Sequence, residues 1–205
     1  TIESETFALP VPERPGYAFA GWYESPQFEG APVASIVKGT TGNKVFYAKW
    51  EVINYQITYY TNGGTLPLGT ITTYNIESPI IYLPQPTKHG YAFTGWYTNA
   101  NLLGDKVTYI PTGSTGHKSF YAAWEYIQYT ITYNLNGGIN PIDAPTGYNI
   151  DSSFALPIPT KAGYDFAGWY NNADFTGEAI TQIKKGTTGD LTLYAKWTAI
   201  SYIIQ

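Results

Sequence analysis

The residues able to do chemistry are few and scattered. Acid–base catalysis near neutral pH draws most often on histidine, and the chain has only His89 and His117. Each lies in a phrase that the chain repeats, where His89 is matched by Pro15 and Ala162 and His117 by Asn43 and Asp190. Neither imidazole belongs to the repeated design, so both are expected on the surface with no chemical role. The absence of cysteine excludes thiolate chemistry and disulfides. No histidine pair stands at zinc-ligand spacing, and carboxylates occur singly rather than in the cluster that calcium requires. The "GTTG" phrases lack the lysine and the strand-to-helix setting of a phosphate loop. No catalytic residue, metal or cofactor is therefore expected. A lysine crosslink to asparagine or aspartate would draw on Lys49 and Lys196, but Ala123 fills the matching position. An essential crosslink is not expected.

The strongest pattern is aromatic. "GYAFAGWY" starts at Gly16, "GYAFTGWY" at Gly90 and "GYDFAGWY" at Gly163. Two chemistries fit such a phrase. Trp and Tyr faces can stack on carbohydrate, with Tyr97, Thr98, Asn99, Tyr170 and Asn171 beside them as contacts. Alternatively the rings fill a core, which would comprise Tyr17, Phe19, Trp22, Tyr91, Phe93, Trp96, Tyr164, Phe166 and Trp169. Core filling accounts for the return of the same residue types at the same positions, and it is the reading favoured here.

Those rings are carried by a tandem repeat. The step from Trp22 to Trp96 to Trp169 is about 73 residues, and "FYAKW", "FYAAW" and "LYAKW" keep it. The phrases divide the chain into repeat one (1–50, without a first strand or hairpin), repeat two (51–124), repeat three (125–197) and the start of a fourth (198–205). Both ends read as cuts through a longer array. In repeat two, "YQITYY" alternates as a strand and meets Asn62-Gly63-Gly64, a tight-turn signal. "TITTYNIE" (70–77) is expected to return as the second strand, "LPQPTKHG" to cross in extended form, and "YAFTGWY" to form a third strand. Gly95 is expected to mark a bulge or a close backbone approach. The stretch after it holds a short helix or only turns, "TGSTG" is a turn, and "KSFYAAWE" is the closing strand. Each module is thus mainly β or small α+β.

With 17% aromatic residues, a unit of this size can build a dense core without disulfides. Charge is sparse at 13% and the net charge is −4, so no basic field exists for nucleic acid or an anionic membrane. No apolar run reaches the length of a membrane span, and no signal peptide stands at Thr1.

Taken in order, "NGG", "PTKxGYxFxGWY" and "LYAKW" resemble the Listeria/Bacteroides repeat, the internalin B-type B-repeat family, over nearly the whole chain. Departures are Glu13-Arg14-Pro15, Ala123 and the absent first hairpin of repeat one. The resemblance implies a β-grasp-like module recurring on bacterial surface or secreted proteins, and no catalytic residues.

The expected function is a non-catalytic stalk or spacer at the cell surface or in a secreted protein, its repeats being each other's partners. A glycan- or host-protein-binding adhesin module is the alternative, with the negative charge arguing against sulfated glycans. The junctions "WEVINY" and "WEYIQY" lack Gly, Pro and Ser, which predicts restricted movement between modules. Repeat one should have an open sheet edge, and "ISYIIQ" is a strand without a partner. Either residues 199–205 exchange head to tail between molecules or one of these two ends is poorly ordered, or else the module boundary is shifted by one strand.

Overall fold

A computed structural model describes residues 4–203. The first three residues of repeat one and the last two of the 199–205 segment lie outside the described residues. Among those described the chain is all β and contains no helix. Repeat one contributes β1 (Phe7–Ala8), β2 (Tyr17–Tyr23), β3 (Ser35–Ile36) and β4 (Tyr47–Val52). Repeat two contributes β5 (Tyr55–Tyr60), β6 (Thr73–Tyr74), β7 (Ile81–Tyr82), β8 (Tyr91–Tyr97), β9 (Tyr109–Ile110) and β10 (Lys118–Tyr126). Repeat three matches it with β11 (Tyr129–Asn134), β12 (Gly147–Tyr148), β13 (Phe154–Ala155), β14 (Tyr164–Tyr170), β15 (Gln182–Ile183) and β16 (Leu191–Ala199).

Repeats two and three each build a four-stranded sheet, in the orders β6-β5-β10-β8 and β12-β11-β16-β14. The opening strand pairs in parallel with the closing strand of its own repeat, Ile57 facing Lys118 and Ile131 facing Leu191. Two-residue alternation then sets the inner face. Ile57 and Ile131 are buried with Tyr59 and Tyr133 beside them, while Thr58 and Thr132 point to solvent. Small antiparallel pairs, β1-β3, β7-β9 and β13-β15, close the other side of each module.

Two segments depart from expectation. Residues 70–77 do not form a long returning strand, since only Thr73 and Tyr74 pair, opposite Gln56 and Tyr55. The cause is local. Asn75 Oδ1 accepts the Glu77 amide, and Ser78 Oγ accepts the Asn75 amide at 3.0 Å, which turns the chain at Asn75-Ile76-Glu77. The Asn-Gly turns do take positive φ at Asn62 (50°) and Gly63 (87°), yet residues 61–72 make a longer excursion before pairing resumes. Asn62 anchors this loop by donating to the Ala122 carbonyl at 2.7 Å, as Asn136 does to Ala195.

The bulge glycines behave as expected. Pairing shifts between Phe19 and Gly21 and between Phe166 and Gly168, and Gly95 takes a φ of 145°. Where a helix was one alternative, the structure has turns flanking β9.

The chain gathers into two compact units, Thr1–Pro86 with Gly95–Ala123, and Thr87–Thr94 with Trp124–Gln205. The second is centred on Ile131, Tyr148, Leu156, Trp169, Ile183, Leu193 and Ala195. In the first, Ile57, Tyr74, Trp96, Ile110, Phe120 and Ala122 bury the matching positions, and Ile81 is buried where the second has the partly buried Phe154. Repeat one has no counterpart of β5 or β11 among the described residues, and β2 pairs with β4 alone. Phe7, Ile36 and Phe46 there line an open cavity of about 480 Å³.

Candidate functional site

The tryptophans of the aromatic phrase point inward. Trp96 and Trp169 are 2% and 1% exposed. Each indole N–H is satisfied inside its module, by the carbonyls of Pro84 and Pro157 at 2.7 Å. Tyr59 and Tyr133 of the opening strands cover the rings at 5.2 and 4.9 Å between centroids. Trp22 makes the same bond to Pro10 but is only half-buried, because no opening strand brings a tyrosine over it. Phe19, Phe93 and Phe166 are half-buried and meet Trp50, Trp124 and Trp197 edge to face. An indole buried in this way has no face to offer a sugar.

The flanking polar residues are spent on local structure. Asn99 Nδ2 donates to the Leu103 carbonyl and Asn99 Oδ1 accepts the Leu103 amide. In repeat three Asn172 does this work with Thr176, and Asn171 is an exposed neighbour that accepts from Asn172. Tyr97 and Tyr170 are half-buried. Lys196 lies over the Tyr170 ring, with Phe175 edge-on to it, and Lys49 lies over Tyr23, with Phe28 likewise. Ala123 therefore coincides with Leu102 in place of that phenylalanine, so lysine and phenylalanine are lost together. His117 Nδ1 accepts the Gln56 amide at 3.0 Å, and Asp190 does the same for Thr130 at 2.7 Å. The histidine is a strand-edge acceptor.

The tyrosines that open the phrase lie outside the core. Tyr17 and Tyr91 are half-buried, and Tyr164 is 41% exposed. Tyr17 and Tyr91 sit where one repeat meets the next, and there the structure assembles a joint that sequence reasoning missed. Gly90 has a φ of 77°, and a Cβ placed on it would lie inside the packing radius of the Ile150 side chain. Gly16 has the same conformation, and a Cβ there would come 2.6 Å from Ile76. The glycine thus serves twice, supplying a backbone conformation that residues with a Cβ disfavour and a seat for isoleucine. The carboxylate after that isoleucine reaches the tyrosine. Tyr17 donates to Glu77 at 2.6 Å and Tyr91 donates to Asp151 at 3.0 Å. A cation covers each ring from outside, Arg14 at 3.8 Å and Lys88 at 4.1 Å. The seat carbonyl also binds the linker, with the Ile53 amide donating to Gly16 and the Ile127 amide to Gly90.

In the second unit Asp151 gathers further donors, Tyr126 at 2.9 Å and Lys185 at 2.8 Å. The Lys185 ammonium, with the Tyr126 and Tyr91 hydroxyls, holds the Asp151 carboxyl at about 2. Desolvation and the bond to Asp151 push the Tyr91 hydroxyl up to about 12. Glu77 beside Tyr17 raises that hydroxyl also. A signal was present in the sequence, since "NIE" and "NID" stand at matching positions with glycine before each tyrosine. Among the described residues no group of three or more metal-ligating side chains comes together.

Repeated all-β modules with inward-facing tryptophans, the first two meeting the next repeat at a glycine seat, define a tandem-repeat protein. The chain belongs to the Listeria-Bacteroides repeat domain family, whose model matches residues 1–49, 55–123 and 129–196. It is 31% identical over 207 residues to a protein of Evansella cellulosilytica provisionally described as a Gly-rich membrane protein, a match covering 95% of this chain and 22% of that one. It is 32% identical over 114 residues to internalin H of Listeria monocytogenes, covering 55% of this chain and 20% of that protein. The chain therefore spans less than a third of these relatives. No solved structure matches it significantly. No helix among the described residues is long and apolar enough to cross a membrane.

Proposed function

We propose that the chain is a non-catalytic spacer, the repeat region of a bacterial cell-surface or secreted protein, in which successive modules set a distance. The observation that carries this reading is the joint. A linker of two residues separates β4 from β5 and β10 from β11, and an amide in each linker is bonded to the seat glycine of the preceding repeat. With isoleucine seated and its neighbouring carboxylate bonded to tyrosine, the chain has few ways to swing at that point. Relatives described as a membrane protein and an internalin support the surface setting. The parallel pairing of opening and closing strands, with a hairpin on one side and the crossing strand on the other, supports a β-grasp-like module that has lost its helix. Buried tryptophans and self-satisfied asparagines weigh against a glycan platform. Small-angle scattering tests the proposal: an elongated particle with one dominant length supports it, and a compact or broadly distributed one overturns it.

A further inference from the structure

Among the described residues, repeat three presents the same seat without an occupant. Gly163 has a φ of 76° like its two counterparts, but a Cβ there would meet no atom within 4 Å. Its carbonyl accepts the Ile200 amide at 3.0 Å, as Gly16 and Gly90 accept Ile53 and Ile127. Lys161 covers the Tyr164 ring at 4.4 Å, matching Arg14 and Lys88. Glycine, tyrosine, cation and linker amide are thus all in place, whereas no isoleucine or carboxylate stands on them among the described residues. Gly16 and Gly90 are buried, and Gly163 is exposed. Within repeat three the positive φ closes a tight turn, the Tyr164 amide donating to the Lys161 carbonyl at 3.1 Å, but that turn does not use the open space above the glycine.

We infer that the face formed by Gly163, Tyr164 and Ile200 is a docking seat for the Asn-Ile-Asp or Asn-Ile-Glu turn of another repeat of this family. The inference rests on the spacer reading and says how an array is lengthened. The two filled joints fix the chemistry of the occupant. A branched apolar side chain covers the glycine, and the carboxylate one residue later accepts the tyrosine hydroxyl. The aligned position of Tyr126 is Ala199 here and Val52 in repeat one. The new joint should therefore resemble that between Tyr17 and Glu77, with one tyrosine donor, rather than the richer one around Asp151. The Asn and Ser that shape the turn belong to the occupant, as Asn149 and Ser152 do around Ile150, so the turn arrives preformed.

The test uses the full chain extended after Tyr202 by a second copy of residues 130–199. Nuclear magnetic resonance of the Tyr164 ring and the Ile200 amide is compared with and without the extension. The indole N–H signal of the added copy, the counterpart of Trp169, reports that it has folded. The expected result is a shift of the Tyr164 ring resonances and slowed exchange at Ile200. Both effects are lost when isoleucine in the added turn is changed to alanine. Unchanged Tyr164 signals beside a folded added repeat, or a shift that survives the isoleucine substitution, would overturn the inference. So would an added repeat that fails to fold beside repeat three. Scattering on the same extended chain separates the two readings, since a particle that lengthens while Tyr164 stays unchanged refutes the seat and leaves the spacer standing.

Discussion

Alanine at Gly90 and at Gly163 should have different costs, although both glycines have nearly the same φ and lie in the same compact unit. A left-handed backbone conformation disfavours any residue with a Cβ by about 1–2 kcal/mol, and this applies equally to both positions. At Gly90 the new methyl must also displace Ile150, whose Cβ, Cγ2 and Cδ1 all crowd the space. Overpacking of that kind adds about 1–3 kcal/mol. Gly163→Ala should therefore lose about 1–2 kcal/mol and Gly90→Ala about 2–5 kcal/mol. Urea unfolding followed by tryptophan fluorescence measures both, and amide exchange at Ile127 shows whether the loss at Gly90 is felt in the linker. Equal losses at the two sites, with Ile127 unaffected, would show that the glycine is a matter of backbone conformation and that the seat carries no packing energy.

Other consequences follow from the same geometry. Trp96→Ala and Trp169→Ala remove rings that are almost fully enclosed and should lose about 3–5 kcal/mol in chemical denaturation. Trp22→Ala should lose less, because water already reaches that ring. Asp151, held at about 2 against an ordinary 3.8, contributes stability that is whole above the ordinary value and disappears as the pH falls toward about 2. Asp151→Asn should flatten the acid limb of the unfolding curve, and an unchanged limb would contradict the joint. If the exposed Tyr202 and Ile203 complete the open edge of β4 in a second molecule, sedimentation should show association that rises with concentration and vanishes on truncation after Ile200. A monomer at every concentration would rule that exchange out.

The sequence made the repeat, the strand-forming phrases and the bulge glycines readable, because each depends on local chemistry: two-residue alternation, positive φ or turn residues. It left hidden what depends on the next repeat. Ile76 and Ile150 belong to phrases that alternate like a strand, and only the Asn and Ser side chains closing on their own backbone show that the chain turns there. The opening tyrosines of the aromatic phrase share the two-residue period of Phe93 and Phe166, so periodicity placed them in the core. Their place at the joint is set by the glycine one residue before, whose contacts are non-local. The short pairs such as β7-β9 are two residues long and escaped a pattern that needs four or more. Asn171 was singled out where Asn172 does the work, since two adjacent asparagines give no hint of which one reaches Thr176.

The central claim, that modules are held at their joints, is tested most directly by backbone relaxation of the linker amides at Ile53 and Ile127. The account predicts order parameters of about 0.85, equal to those of the flanking strands. Values below about 0.6 at these two amides, with the strands on either side rigid, would contradict it.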